Sequence, residues 1–136
     1  MVKELLFIHP LGQAVAFVFG LFNLITGWTH KCFVRALHIN FGVMFYVLTF
    51  IGSVMGLLTA RRAAHEDIFL SSPVHLWLAV TLIVFLLCGM LSGFFLMGKT
   101  GMRTWAHVLH RYCNLFVVLF FIAQLISGGL VLAKVF

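Results

Sequence analysis

ALHINFGVMFYVLTFIGSVMGLLTA, residues 36–60, decides the fold. It carries no Asp, Glu, Lys or Arg, and it exceeds the roughly 20 apolar residues that cross about 30 Å of hydrocarbon as a helix. Working outward, three more uncharged runs of sufficient length flank it: Leu5 to Thr29, Ile68 to Gly98 and Tyr112 to Ala133. Loops fall near His30–Arg35, Arg61–Ser72 and Lys99–Arg103. The expectation is an all-α integral membrane protein, an up-down-up-down four-helix bundle. It forms a single domain over residues 1–136, with helices at about 8–29, 36–60, 73–98 and 104–134.

Composition agrees. Only 9% of residues are charged, against about 25% in soluble domains, and the mean hydropathy is +1.16. The acidic residues are Glu4, Glu66 and Asp67 alone. The net charge of +6 comes from Lys and Arg placed singly or in pairs at helix ends. That is how a multi-pass membrane protein distributes them, and it excludes nucleic acid as a partner while implying contact with membrane lipid. The first apolar run is longer than the 7–15 residues of a signal-peptide core and no A-x-A-like site follows it, so it is expected to stay as the first helix. Cys32, Cys88 and Cys113 form neither CxxC nor CxxCH; this argues against covalent haem and against a zinc site. Trp28, Trp77 and Trp105 stand at helix ends, as an interfacial aromatic belt requires.

The chain also repeats itself. With His9 placed on His75, Leu24-Ile25-Thr26-Gly27-Trp28 falls on Met90-Leu91-Ser92-Gly93-Phe94. Past the longer central loop, Arg35-Ala36-Leu37-His38 falls on His107-Val108-Leu109-His110, and Gly56 on Gly128. A duplicated helical hairpin is a common membrane design.

Each of the four helices begins with a histidine: His9, His38, His75 and His110. Let side A be the face holding both termini and the central loop, and side B the face holding the first and third loops. His9 and His75 then share side A, and His38 and His110 share side B, so facing helices supply one pair near each membrane surface. Eighteen residues after these histidines come Gly27, Gly56, Gly93 and Gly128. Eighteen residues is five helical turns, so each glycine lies on its histidine's own face, about 27 Å further along, at the depth of the other pair. A glycine there is expected to let a flat macrocycle approach the backbone. Fourteen residues after the histidines stand Asn23, Gly52, Gly89 and Gln124, again small or polar.

Paired histidines with same-face glycines suit haem iron, which takes a neutral imidazole nitrogen on each axial side. The expected cofactors are two haem b groups, non-covalent and bis-His, with His9, His75, His38 and His110 as the axial iron ligands. His107 lies three residues before His110 and is an alternative ligand; only His110 keeps the eighteen-residue step. Arg35 is a candidate partner for a haem propionate. His30 and His65 fall in loops. Lys31, Arg35, Lys99, Arg103 and Arg111 make side B basic, which suits propionates or an anionic donor, and equally suits positive-inside topology. Close helix packing is an alternative account of the Gly52/Gly56 GxxxG spacing.

Several stretches resemble the cytochrome b561 family of transmembrane ascorbate and ferric reductases. Ile8-His9-Pro10-Leu11 is similar to that family's His-Pro-Leu opening, and Leu37-His38 with Gly52 to its next ligand helix. His75-Leu76-Trp77 with Leu91-Ser92-Gly93-Phe94 resembles the third helix, and His110 followed by Gly128 the fourth. The resemblance spans nearly the whole chain as the four-helix core, without the family's flanking helices. It implies two b haems ligated by helices one with three and two with four, a homodimer, and a non-cytoplasmic side A with both termini. The expected function is electron transfer across the membrane, as a free carrier or reductase, between a redox partner protein or small-molecule donor and acceptor (quinol or ascorbate-like). The alternatives are a haem-bearing anchor subunit of a larger quinol-linked complex, and a small metal-ion transporter using the histidines.

Overall fold

The protein is described by a computed structural model covering residues 2–29, 34–65, 72–98 and 103–134; for residues 2–5 and 103 the backbone alone is described. His30, Lys31 and Lys99 lie outside the described residues. Four helices follow one another: α1 (Val2–Thr29), α2 (Arg35–His65), α3 (Pro73–Met97) and α4 (Arg103–Leu132). All four are long and apolar enough to cross a membrane. The chain is an all-α, multi-pass integral membrane protein.

Two helices run further than the hydropathy pattern suggests. α1 begins before His9 and passes through Pro10, which has no N–H to give the carbonyl one turn back; transmembrane helices tolerate that loss. α2 continues beyond Ala60 to His65 and carries Arg62 and His65 in its last turn, where cations favour the carbonyl end of a helix. His65 therefore sits on an exposed helix end rather than in a loop. α3 starts where sequence places it, because Ser72 caps it, accepting a hydrogen bond from the His75 backbone at 3.3 Å, with Pro73 in the first turn.

The bundle is two hairpins side by side. α1 packs extensively on α2 and α3 on α4; α1 and α4 close the ring, and α2 touches α3 least. The diagonals are thus α1 with α3 and α2 with α4. Midway through the bundle Ala16, Phe45, Leu82, Leu86, Val117 and Phe121 form the core. Gly20 makes room for the Phe45 ring, since a Cβ there would come within 2.6 Å of it. The interior is not more apolar than the exterior. Gln13, Asn23, Thr49 and Ser92 are buried, while Leu11, Val18, Phe50 and Leu57 are exposed. A hydrocarbon solvent accepts apolar side chains outside, so what turns inward is whatever is small or needs a hydrogen bond.

Core packing of this kind predicts an asymmetry between positions of similar hydrophobicity. Phe121→Ala, at a side chain 2% exposed, should cost about 3–5 kcal/mol. Leu57→Ala, at 69% exposure, should cost within about 0.5 kcal/mol. Thermal unfolding in one detergent compares them, and equal losses would contradict this packing.

Candidate functional site

His9, His38, His75 and His110 all turn into the bundle, each seated on the other helix of its own hairpin; His9 and His110 stand two turns inside α1 and α4 and do not open them. His9 Nδ1 donates to the Gly52 carbonyl on α2 at 2.7 Å. His110 Nδ1 donates to the Gly89 carbonyl on α3 at 2.9 Å. His38 has the backbone of Asn23 on α1 as its partner. His75 Nδ1 lies 2.9 Å from Ser127 Oγ on α4. Asn23, Gly52 and Gly89 all occupy the fourteen-residue register.

The glycines four residues later explain why these carbonyls are reachable. In a helix each Cβ leans toward the N-terminus and covers the turn before it. A side chain at Gly56 would therefore lie over the Gly52 carbonyl. A Cβ on Gly56 would come 2.7 Å from His9 Cε1, and one on Gly27 2.8 Å from His38 Cε1. On Gly93 it would meet His110 Cε1 at 3.1 Å, and on Gly128 His75 Cε1 at 3.1 Å. The group that each eighteen-residue glycine admits in this structure is thus an imidazole edge.

This seat also sets the tautomer. A carbonyl only accepts, so His9 and His110 carry their proton on Nδ1 and keep the Nε2 lone pair for another partner. Backbone or hydroxyl partners on the second nitrogen are how metal-binding histidines are commonly oriented.

The pairs join opposite hairpins. His38 and His110 meet across the α2–α4 diagonal with ring centroids 6.1 Å apart and planes at 72°. Two imidazoles binding one metal at about 2 Å each would have centroids roughly 6 Å apart, so the spacing fits one shared ion. His9 lies within electrostatic range of His75 across the other diagonal. Among the described residues no group of three or more His, Cys, Asp or Glu side chains gathers around a point. A two-imidazole set matches a metal whose remaining donors come with it, as in a porphyrin.

His107 is exposed on the outer side of α4, whereas His110 is partly buried and tethered. Arg35 is exposed at the first residue of α2. Arg111, next to His110, stacks its guanidinium over Trp28 at 3.6 Å and so ties α4 to the end of α1 on side B. Sequence reasoning missed the polar residues that support the histidines. Asn114 accepts from Tyr46 at 2.9 Å and lies one turn beyond His110. Ser127 immediately precedes Gly128 and supports His75. Their position one turn from, or next to, a register residue was the available signal. Comparison with protein-family models, curated proteins and solved structures gives no match.

The seats make the glycines pair-specific. Gly93→Leu should displace His110 and abolish occupancy of the His38–His110 pair while sparing His9–His75; Gly56→Leu should do the reverse. Alanine should be graded, because a methyl at Gly27 or Gly56 enters the tighter contacts. There the expected cost is about 1–3 kcal/mol, and less at Gly93 or Gly128. Cofactor content and site-resolved redox titration report both; equal loss at the two pairs would reduce the glycines to general packing. Likewise His110→Ala should empty the side-B pair and His107→Ala should leave it filled, and the opposite result would move the ligand to His107.

Proposed function

We propose that this chain is a transmembrane electron carrier holding two non-covalent b haems. One is held by His9 and His75 near side A, and one by His38 and His110 near side B. The observation that carries the reading is the repeated seat: four inward imidazoles in two diagonal pairs, at opposite ends of a membrane-spanning bundle. The levels of His9 and His38 are separated by about fourteen residues of α2, roughly 21 Å of helix.

Haem held between two imidazoles would supply one-electron chemistry at iron, with no position left for substrate. The chain's own work is then to hold geometry and exclude water. The Gly52 and Gly89 carbonyls fix the orientation of His9 and His110, so that neither ring must reorganise when charge changes beside it. The core between the pairs, with Phe45 and Phe121 each 2% exposed, keeps water and ions out of the midplane. That core weighs against the metal-ion transporter, which needs a continuous polar path. Arg35 and Arg111 place positive charge at side B, suited to propionates or an anionic donor.

The sequence resemblance to the cytochrome b561 family supports the same reading, with a quinol- or ascorbate-like small molecule or a redox protein as partner, a homodimer, and side A non-cytoplasmic. Service as the haem-bearing anchor of a quinol-linked complex uses the same site and differs only in its neighbours.

The purified chain should contain two haems per polypeptide, released together by acidified organic solvent because no thioether holds them. A reduced-minus-oxidised spectrum should show b-type bands, halved by His38→Ala. No haem, or haem that resists extraction, would overturn the proposal.

A further inference from the structure

The seat of His75 differs from the other three. Ser127 Oγ donates to the Gln124 backbone carbonyl at 3.1 Å and lies 2.9 Å from His75 Nδ1. The Gln124 side-chain Nε2 lies 3.0 Å from His75 Nε2. A hydroxyl has one proton, and here it goes to the carbonyl, so Ser127 Oγ accepts from His75 Nδ1–H. His75 Nε2 is then a bare acceptor and the Gln124 amide donates to it. With a neutral imidazole and the amide nitrogen facing the ring, this assignment keeps all three hydrogen bonds. The amide makes its contact at a cost, since Gln124 Oε1 is left buried without a partner. The side chain is therefore oriented by the imidazole and not by its own oxygen.

The nitrogen so engaged is the one that the Nδ1 tether leaves for a metal. Resting on the haem reading above, we infer that Gln124 is a displaceable latch on the side-A site. In the cofactor-free chain it occupies His75 Nε2, holding the ring in place and shielding a buried lone pair; it swings aside when His75 takes its metal. Cofactor binding at side A must then break a hydrogen bond that the free chain possesses. Gln124 thus acts through His75 and is a positioning residue, as is Ser127, but the two have opposite effects. Ser127 fixes the ring in the bound and the free chain alike. Gln124 competes with the bound state.

The full-length chain produced in haem-depleted cells and titrated with hemin tests this, with the two binding steps assigned by His75→Ala and His38→Ala. Gln124→Leu should tighten the His9–His75 step roughly five-fold, the worth of one net hydrogen bond, and lower the thermal midpoint of the cofactor-free chain. The His38–His110 step should not move, which shows that the variant is folded. Gln124→Asn, whose amide is one carbon short of the ring, should shift in the same direction; it keeps the test open if the leucine variant fails to assemble. Ser127→Ala should weaken the side-A step. A merely structural role for Gln124 predicts weaker binding in both Gln124 variants, matching Ser127→Ala, and that result or an unchanged side-A affinity overturns the latch. Failure of the unaltered chain to take up hemin at either step overturns the haem reading itself, and the latch with it.

Discussion

The arrangement depends on one interaction: an imidazole N–H reaching a carbonyl on the side of a neighbouring helix. Helix carbonyls already accept a bond along the axis and are normally shielded by the side chain one turn further on. Removing that side chain uncovers the second lone pair. Gly56 does this for Gly52 and Gly93 does it for Gly89, so each GxxxG spacing here is a socket for a histidine on the next helix. The same substitution lets the two helices of a hairpin approach closely, so the packing role and the site role of these glycines share one cause.

The lipid environment explains why those sockets dominate the interior. Where the solvent is hydrocarbon, burying a leucine contributes little beyond van der Waals contact, while a polar group facing lipid carries a real penalty. Tyr46 accordingly meets Asn114, Asn114 and Gln124 meet histidines, and Gln13 and Asn23 are buried against α2, while most large aliphatic side chains face out. The main aromatic and aliphatic cluster lies in the middle of the bundle, between the two histidine levels. Polarity is thereby concentrated at two levels on either side of that apolar cluster.

Duplication shaped the two halves unequally. Each histidine is seated within its own hairpin, but each pair draws one histidine from each hairpin, so a ligand shared by a pair would join halves that meet mainly through α1 and α4. The side-B pair has the Arg111–Trp28 stack beside it. The side-A pair has Gln124 and Ser127, where the other half of the repeat has Gly52 and Met55. Identical registers have therefore acquired different chemistry at the two membrane faces.

By itself the sequence determined the class, the helix count, the four histidines and their glycine register, because run length and five-turn spacing are one-dimensional properties of a helix. The ends of α1 and α2 escaped it, since α1 extends through Pro10 to Val2 and the basic last turn of α2 lies beyond its uncharged run, yet both stretches are helical. Hydrophobic patterning said nothing of which face turns inward, because apolar residues surround every helix. Tertiary structure alone decided which side chain each glycine faces: the partner's position across a hairpin puts an imidazole edge there. It also decided that a fourteen-residue register, visible only as small or polar residues, supplies the carbonyls that orient those rings. Which nitrogen of His75 meets Gln124 was beyond the sequence for the same reason: a hydrogen bond depends on the distance between two helices, and spacing along one of them does not contain it.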